Sequence, residues 1–350
     1  MKVVKSLQVA IVAVAGICFT LSASAQDNTL LGAGGTFVYP LFSKIFAEYG
    51  TTKDVKVNYQ SIGSGGGIKA LTDKTVDFGE SDAPLNPDQT TKLGAAALHI
   101  PVAAGAVVIT YNIPGVTAAL NLTGKDIADI YLGKITKWNS AEIAATNKGV
   151  NLPDLPIVVI HRSEGSGTSY IFTDFLTKVN EDWAKKVGKA GAPNWPTGLG
   201  GKGSEGVSGL TKQTPGAICY VELIYALQNK MTFANIQNKA GKFITPSLAS
   251  TTLACNVELP DDAKVSVTNT DNAKGYPISS FTWALIYKEQ KYNDRSAAKA
   301  KEVLDLLWYV IHSGQKFSEA LNYAPLSKSA VKVGEKILKS ATYDGKPILK

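Results

Sequence analysis

Apolar and polar residues alternate with the two-residue period of strands in several short segments of this chain. Val55, Val57 and Tyr59 alternate with polar residues, which predicts a short strand. The run 156–160 is almost wholly apolar, as is typical of a strand that is buried on both faces of a sheet. A third, brief strand is predicted at 76–78. These three segments predict that the chain forms a β-sheet.

Helical periodicity follows these strands. Two stripes of apolar residues recur with helical spacing, namely Leu41, Phe42, Ile45, Phe46 and Tyr49 in one, and Ile171, Phe172, Phe175, Leu176 and Val179 in the other. A further helix is predicted to begin near 68–71, after the glycine-rich segment 63–67. The order strand, glycine- or serine-rich loop, helix is typical of open α/β sheets, which bind ligands beyond the carboxyl ends of their strands. We therefore predict an α/β fold.

The length of the chain predicts two lobes, because 350 residues are too many for one ordinary hydrophobic core. The runs 107–111 and 281–287 are far apart but similar in character, and we interpret them as strands that cross between the lobes. The first lobe is predicted to comprise residues 26–110 and 278–350. The second is predicted to comprise residues 111–277.

The first residues have the pattern of a secretory signal peptide. Lys2 and Lys5 precede an uncharged apolar run at 7–21, and small residues follow it. We predict a signal peptide over residues 1–25 and a mature protein that begins at Gln26. A retained N-terminal anchor is the alternative for this segment, and no other segment is long and apolar enough to span a bilayer.

The charge balance is basic, with 36 lysine and arginine residues against 29 acidic residues. Such a balance can indicate a nucleic-acid partner. However, only Arg162 and Arg295 are arginine, and the lysines are spread along the chain among acidic residues. Proteins that bind nucleic acids use arginine heavily, so we predict no nucleic-acid partner and a solvated basic surface.

Two cysteines follow the predicted signal peptide, Cys219 and Cys255. An oxidising compartment permits a disulfide between them. The apolar surroundings of Cys219 are equally typical of a separate buried thiol. The sequence leaves both states open.

Hydroxyl and glycine residues cluster at the starts of three predicted helices, at Thr36-Phe37, at Ser64 and at Ser166-Gly167-Thr168. A helix N-terminus offers unpaired N–H groups and the positive end of its dipole, which suits an oxyanion. Arg162 adds a planar cation of the kind best matched to a tetrahedral oxyanion. Any one of these loops alone is more often an ordinary helix cap. Together with the rare arginine they predict an anion-binding site.

The motifs of common phosphate- and ester-handling enzymes are missing from the sequence. A glycine follows the Gly-Lys pair at 201–202, so no P-loop motif occurs, and no Gly-x-Ser-x-Gly surrounds a candidate serine. The three histidines are dispersed and fit no metal motif, being His99, His161 and His312. We therefore predict binding without catalysis, metal ion or cofactor. The loop 198–203 with Lys202 is a rival anion site, which we interpret as a tight connection before a helix that begins near Glu205.

Six segments distributed over most of the chain carry a family resemblance, namely 32–37 (GAGGTF), 59–67 (YQSIGSGGG), 76–85 (VDFGESDAPL), 129–135 (DIYLGKI), 162–169 (RSEGSGTS) and 195–203 (WPTGLGGKG). With these segments the chain resembles the periplasmic phosphate-binding proteins of phosphate-specific ABC transporters. The resemblance implies a two-lobed type II solute-binding fold, in which each lobe is a mixed sheet flanked by helices and two hinge segments join the lobes. It also implies a periplasmic location.

By position, the resemblance implies phosphate-binding groups on Thr36, Phe37 through its backbone N–H, Ser64, Asp82, Arg162, Ser166, Gly167 and Thr168. Phosphate keeps at least one proton near neutral pH and can donate it to Asp82, whereas sulfate has none to donate. Asp82 is therefore expected to select phosphate, since an unpaired buried acceptor is costly. Glu164 stands where an aspartate is usual, and it is expected to pair with Arg162 in an altered geometry.

The resemblance also implies partners. A membrane permease and an ATPase would accept the closed, loaded form of a monomeric receptor, and hinge closure would bury the anion. Two other functions remain open from the residues. One is a secreted phosphatase-like hydrolase that holds phosphate as its product, and the other is a receptor for another oxyanion such as sulfate or molybdate.

Overall fold

The computed structural model describes residues 28–350. The predicted signal peptide lies outside this part of the chain. No helix between residues 28 and 350 is long and apolar enough to cross a membrane.

The described residues form twelve α-helices and fourteen strands. The helices are α1 (Tyr39–Lys53), α2 (Ser64–Thr72), α3 (Pro87–Leu93), α4 (Gly124–Tyr131), α5 (Ala141–Thr146), α6 (Gly167–Val179), α7 (Glu181–Lys186), α8 (Gly203–Gln213), α9 (Leu223–Gln228), α10 (Leu248–Ala254), α11 (Ala297–Ile311) and α12 (Lys328–Lys339). The strands are β1 (Thr29–Gly34), β2 (Lys56–Ser61), β3 (Phe78–Ser81), β4 (Ala97–Tyr111), β5 (Asn121–Leu122), β6 (Val158–Arg162), β7 (Leu199–Gly201), β8 (Ala217–Glu222), β9 (Thr232–Phe233), β10 (Asn235–Gln237), β11 (Phe243–Ile244), β12 (Ser279–Tyr287), β13 (Thr342–Tyr343) and β14 (Lys346–Pro347).

One mixed sheet runs through the molecule in the order β2-β1-β3-β12-β4-β8-β6-β7, and β9 also pairs with β4. The long strand β4 divides it. Up to Ala106, β4 pairs with β12, and from Val107 onward it pairs with β8. On one side β1, β2 and β3 are parallel, and on the other side β6, β7 and β8 are parallel. The fold is therefore two-lobed and α/β, as predicted.

The chain crosses between the two halves at two adjacent places. The first crossing is β4 itself, which contains the predicted run 107–111. The second lies just before β12, where the carbonyl of Ile278 accepts a hydrogen bond of 2.8 Å from the N–H of Val107. The run 281–287 lies within β12 and pairs with β3 and with the part of β4 before Val107. It therefore follows the second crossing, and the interpretation of this run as a crossing strand was wrong.

The helix α1 buries the five apolar residues that its sequence pattern predicts. The next helix begins earlier than predicted, because α2 starts at Ser64 and contains the glycines at 65–67. A Cβ on Gly67 would lie 2.5 Å from the carbonyl oxygen of Ala33, so glycine lets α2 pack directly on β1. The glycines of α2, which would ordinarily weaken a helix, are therefore required for its close packing on β1.

Two predicted strands lie two residues later in the chain than their patterns indicate. The strand expected at 76–78 is β3, which begins at Phe78. Asp77 directly precedes it, pairs with Arg295 and accepts the N–H of Leu31. The strand expected at 156–160 is β6, and Pro156 instead forms an isolated bridge with Lys137.

Aromatic clusters fill the core on each side of β4. On one side Phe42, Phe46, Tyr59 and Phe78 contact one another, and on the other Tyr131, Phe172, Trp195 and Tyr220 do so. Complete burial of one such side chain stabilises the fold by about 1.5–3 kcal/mol. These clusters lie beneath the strand ends from which the loops at 35–38 and 163–166 emerge.

The cysteines Cys219 and Cys255 are both buried and carry free thiols. Burial raises the pKa of Cys219 to about 11 and that of Cys255 to about 12. Of the two states that the sequence left open, the structure has separate, unreactive thiols.

Candidate functional site

Four loops that follow strands on both sides of β4 converge between the lobes. They follow β1, β2, β3 and β6, and each leads toward a helix. Within each lobe the parallel strands end on one edge of the sheet, and β6 runs in the direction opposite to β1, β2 and β3. The carboxyl ends of the two sets therefore face each other between the lobes, where the loops meet. The predicted ligand residues lie in them and are all buried, being Thr36, Phe37, Ser64, Asp82, Arg162, Ser166, Gly167 and Thr168.

Ser64, Asp82 and Gly167 form the centre of this cluster. The hydroxyl of Ser64 accepts a hydrogen bond of 3.2 Å from the N–H of Asp82 and lies 3.4 Å from its Oδ2. A Cβ on Gly167 would lie 2.5 Å from both Asp82 Oδ2 and Ser64 Oγ. Only glycine lets the α6 N-terminus from one lobe approach the acidic loop of the other so closely.

Arg162 ends β6 and is held by Glu164. Its Nε donates to Glu164 Oε1 at 2.8 Å, and its Nη2 donates to the same oxygen. That oxygen also accepts from the N–H of Gly203 at 3.1 Å, whereas Glu164 Oε2 is buried without a partner among the described residues. Glu164 thus binds the guanidinium of Arg162 through a single oxygen. Nη1 is left to face Thr168 Oγ1 at 3.4 Å.

Backbone donors surround the same point. Ser166 caps α6 by accepting from the N–H of Ser169. Within residues 28–350, the N–H groups of Phe37, Gly167 and Thr168 donate to no protein acceptor. Those of Gly167 and Thr168 lie at the N-terminus of a 13-residue helix, where the dipole favours negative charge.

Contacts between the lobes close the site. The hydroxyls of Thr36 and Ser204 lie 2.7 Å apart, and the N–H of Ser204 donates to Thr36 Oγ1 at 3.2 Å. The N–H of Gly65 donates to the carbonyl of Gly165 at 2.9 Å, and Tyr225 OH donates to the carbonyl of Thr36 at 2.8 Å. The structure is therefore the closed form of a two-lobed molecule.

Two buried residues that the sequence patterns did not indicate adjoin Asp82. Thr282 donates to Asp82 Oδ1 at 2.8 Å and also contacts the carboxyl of Glu80. Burial and the neighbouring Asp82 raise the pKa of Glu80 well above its ordinary value. Burial also raises the pKa of Asp82, while Thr282, Arg162 and other partners oppose that shift. Two features of the sequence could have indicated them. Glu80 is a carboxylate in the buried segment before Asp82, and Thr282 is a hydroxyl residue in an apolar strand.

Glu222 is a further buried carboxyl near this cluster. Its Oε2 accepts from the N–H of Ile224 at 2.9 Å, and its Oε1 has no partner among the described residues. Burial, opposed by that hydrogen bond, raises the pKa of Glu222 well above its ordinary value. Glu222 ends β8 close to the point where β4 crosses between the lobes.

The remaining sequence candidates lie apart from this centre. Lys202 is exposed between β7 and α8, which begins at Gly203, so most of the segment predicted as a loop at 198–203 is the strand β7. The N–H of Gly203 supports Glu164. His161 stacks on Trp195 with ring centroids 4.8 Å apart. His99 accepts from the N–H of Leu85, and burial lowers its pKa to about 4. His312 follows α11 and pairs with Glu335 of α12.

The assembled groups define the chemistry of a suitable ligand. Hydroxyls, N–H groups and one guanidinium offer many donors to a compact anion. Asp82 adds a buried acceptor, which is unfavourable toward an anion unless that anion carries a proton of its own. The site therefore suits a protonated oxyanion.

The chain is similar in sequence to known proteins. The model of the PBP superfamily domain matches residues 21–308. The phosphate-binding protein PstS of Xylella fastidiosa is 43% identical over 305 residues, which cover 86% of this chain and 82% of that protein. The protein of the same name from Pasteurella multocida is 38% identical over 316 residues, covering 89% of this chain and 90% of that one.

Solved structures share the fold at lower sequence identity. A periplasmic phosphate-binding protein (PfluDING) bound with phosphate superposes with a TM-score of 0.68 at 21% identity, covering 87% of this chain and 92% of that one. A phosphate-binding protein from Stenotrophomonas maltophilia superposes with a TM-score of 0.66 at 20% identity and with the same coverage. The chain therefore shares the fold of these two proteins.

Proposed function

The chain belongs to the PstS family of phosphate-binding proteins, and from this membership we propose that it captures inorganic phosphate between its two lobes. The proposed ligand groups are the buried residues of the converging loops, namely Thr36, Phe37 (N–H), Ser64, Asp82, Arg162, Ser166, Gly167 and Thr168. Glu164 orients the guanidinium of Arg162.

The observation that carries this proposal is the position of Asp82. Its carboxyl is 1% exposed and lies among donors at the meeting point of the two lobes. A fully deprotonated oxyanion would face repulsion there, whereas phosphate donates its proton to the carboxylate. A hydrogen bond to a charged group contributes about 1.5–3 kcal/mol, which is enough to separate phosphate from sulfate.

Delivery follows from the family. The protein acts in the periplasm, as a monomer, and hands phosphate to the permease and ATPase of an ABC importer without any covalent step. No nucleic acid, metal ion or cofactor takes part. The lobes comprise residues 26–110 with 278–350 and residues 111–277, which is supported by the change of partner of β4 between Ala106 and Val107. Release requires the Thr36–Ser204 and Gly65–Gly165 contacts to open.

The test combines binding with turnover. Purified protein is titrated calorimetrically with inorganic phosphate and assayed in parallel for hydrolysis of a phosphomonoester. The expected result is one phosphate per chain and no hydrolysis above the buffer blank. Sustained hydrolysis that persists through repeated purification would instead favour the phosphatase-like function, and absence of phosphate binding would refute the proposal.

A further inference from the structure

Glu80 is a second carboxyl in the phosphate site, and no ligand role is implied for it by the family resemblance. It lies in β3, is completely buried, and sits two residues before Asp82. Its Oε2 accepts from the N–H of Gly35 and, at 3.0 Å, from Tyr59 OH. A Cβ on Gly35 would lie 2.8 Å from this oxygen, so glycine there makes room for the carboxyl. The pocket around Glu80 is thus built to hold it.

The hydroxyl of Thr282 joins Glu80 to Asp82. Its Oγ1 lies within hydrogen-bond distance of Glu80 Oε1 and 2.8 Å from Asp82 Oδ1, while a third contact, to the carbonyl of Ser81 at 3.4 Å, is at the limit of a hydrogen bond. A threonine hydroxyl has one hydrogen to donate. Two ionised carboxylates would therefore leave one carboxylate oxygen facing a lone pair of Thr282. One of the two carboxyls must supply a proton to this arrangement.

The surroundings place that proton on Glu80. Both donors to Glu80 are uncharged and bond to Oε2, which leaves Oε1 to carry a hydrogen toward Thr282. Asp82 instead faces the guanidinium of Arg162, whose charge favours its ionised form. The titratable and charged groups that face the pair, directly or through one another, are Tyr59, Arg162, Glu164, Glu205, Glu222, Tyr225 and Tyr323. Arg162 is the single cation among them, and Glu164 partly neutralises it.

We propose that Glu80 is protonated and, through Thr282, fixes Asp82 as the ionised acceptor for the proton of phosphate. This inference rests on the proposed function. Glu80 donates to Thr282, and Thr282 donates to Asp82 Oδ1, so Asp82 Oδ2 remains the acceptor that faces the ligand. Glu80 is therefore a positioning residue for phosphate specificity, and the shift of its pKa agrees with this role.

The direct test is infrared spectroscopy of the protein without ligand. Protonated Glu80 is expected to give a carboxylic-acid C=O band that is absent from Glu80→Gln and present in the matched variant Glu222→Gln. An identical carboxylic-acid region in wild type and Glu80→Gln would overturn the inference. If Glu80→Gln does not fold, glutamate labelled with a heavy carboxyl isotope in the Glu222→Gln variant reports the same band.

Calorimetry gives a second test that separates neutral from ionised Glu80. Glutamine can keep the bonds to Gly35, Tyr59 and Thr282 without charge, so Glu80→Gln is expected to bind phosphate within about threefold of wild type at neutral pH. If Glu80 were ionised, removing its charge beside an anion would tighten binding more than about tenfold. Such tightening would contradict the proposal.

Variants of the bridging hydroxyl complete the design. Thr282→Ser retains the hydroxyl and is expected to keep phosphate affinity and rejection of sulfate. Thr282→Val removes it and is expected to weaken phosphate binding about tenfold or more. Equal affinity of the two variants would refute the relay. Failure of wild type to bind phosphate would refute the proposed function alone, since the infrared test needs no ligand.

Discussion

Replacement of Asp82 by asparagine perturbs the specificity of the proposed site with little change of shape. Thr282 donates to Oδ1 at 2.8 Å, so the oxygen of asparagine is expected to stay at that position. The amide nitrogen then takes the place of Oδ2, which faces Ser64 and Gly167. The substitution therefore turns the acceptor for the ligand's proton into a donor.

The size of the effect follows from the burial of this carboxyl. Asp82 is 1% exposed, so water cannot replace the lost hydrogen bond. Loss of a hydrogen bond to a charged group costs about 1.5–3 kcal/mol, which corresponds to about a 10- to 150-fold weaker affinity for phosphate. The affinity for sulfate is expected to rise, because the substitution removes the negative charge of Asp82 and places a new donor toward the sulfate oxygens.

The assay is calorimetric titration of wild type and Asp82→Asn with phosphate and with sulfate at one ionic strength. The ratio of the two dissociation constants is expected to shift toward sulfate by at least about tenfold. Asp126→Asn is the matched control, because Asp126 is also buried and its bond to the N–H of Thr123 survives the change. Unchanged discrimination in Asp82→Asn would refute the proton-reading argument.

Three further outcomes are expected. Ser204→Ala removes the hydroxyl partner of Thr36 across the lobes and should weaken phosphate binding about two- to tenfold by calorimetry; unaltered affinity would show that this contact does not support closure. Arg162→Lys keeps the charge but loses the planar fork that Glu164 orients, so a loss of about tenfold or more is expected, and wild-type affinity would contradict the role of the fork. Burial raises the pKa of Glu222. At pH values between the ordinary glutamate pKa and this raised pKa, the folded state therefore holds one proton more than the unfolded state. Over that window its share of the unfolding free energy falls by about 1.36 kcal/mol per pH unit as pH rises. Glu222→Gln should therefore lose less stability than wild type between neutral and alkaline pH in urea titrations, and equal slopes would contradict the assignment.

Local chemistry in the sequence sufficed to predict three of the four loops that the structure brings together, and the resemblance added the loop of Asp82. Glycine and hydroxyl residues after a strand indicate a helix N-terminus, and this signal does not depend on the position of the other lobe. A rare arginine is likewise noticeable without knowledge of the fold. The apolar stripe of α1 was likewise predicted residue by residue, because helical burial depends on spacing alone. These features need only short-range information.

The parts that the sequence did not predict depend on long-range pairing. Thr282 contacts Asp82 across 200 positions of the chain, through the register of β12 against β3. Ser204 meets Thr36 only when the lobes close. Glu80 was not among the predicted site residues, because its burial depends on the absence of a side chain at Gly35. Such contacts require the assembled sheet.

The proposed anion site captures phosphate by accepting the proton that this ligand carries. The most direct test of this proposal is calorimetric titration of the wild-type protein with phosphate in the presence of a large excess of sulfate. We expect one phosphate to bind per chain with an affinity that sulfate does not diminish. Loss of the phosphate signal in excess sulfate would contradict the proposed role of Asp82. A lack of phosphate binding when sulfate is left out would contradict the proposed function.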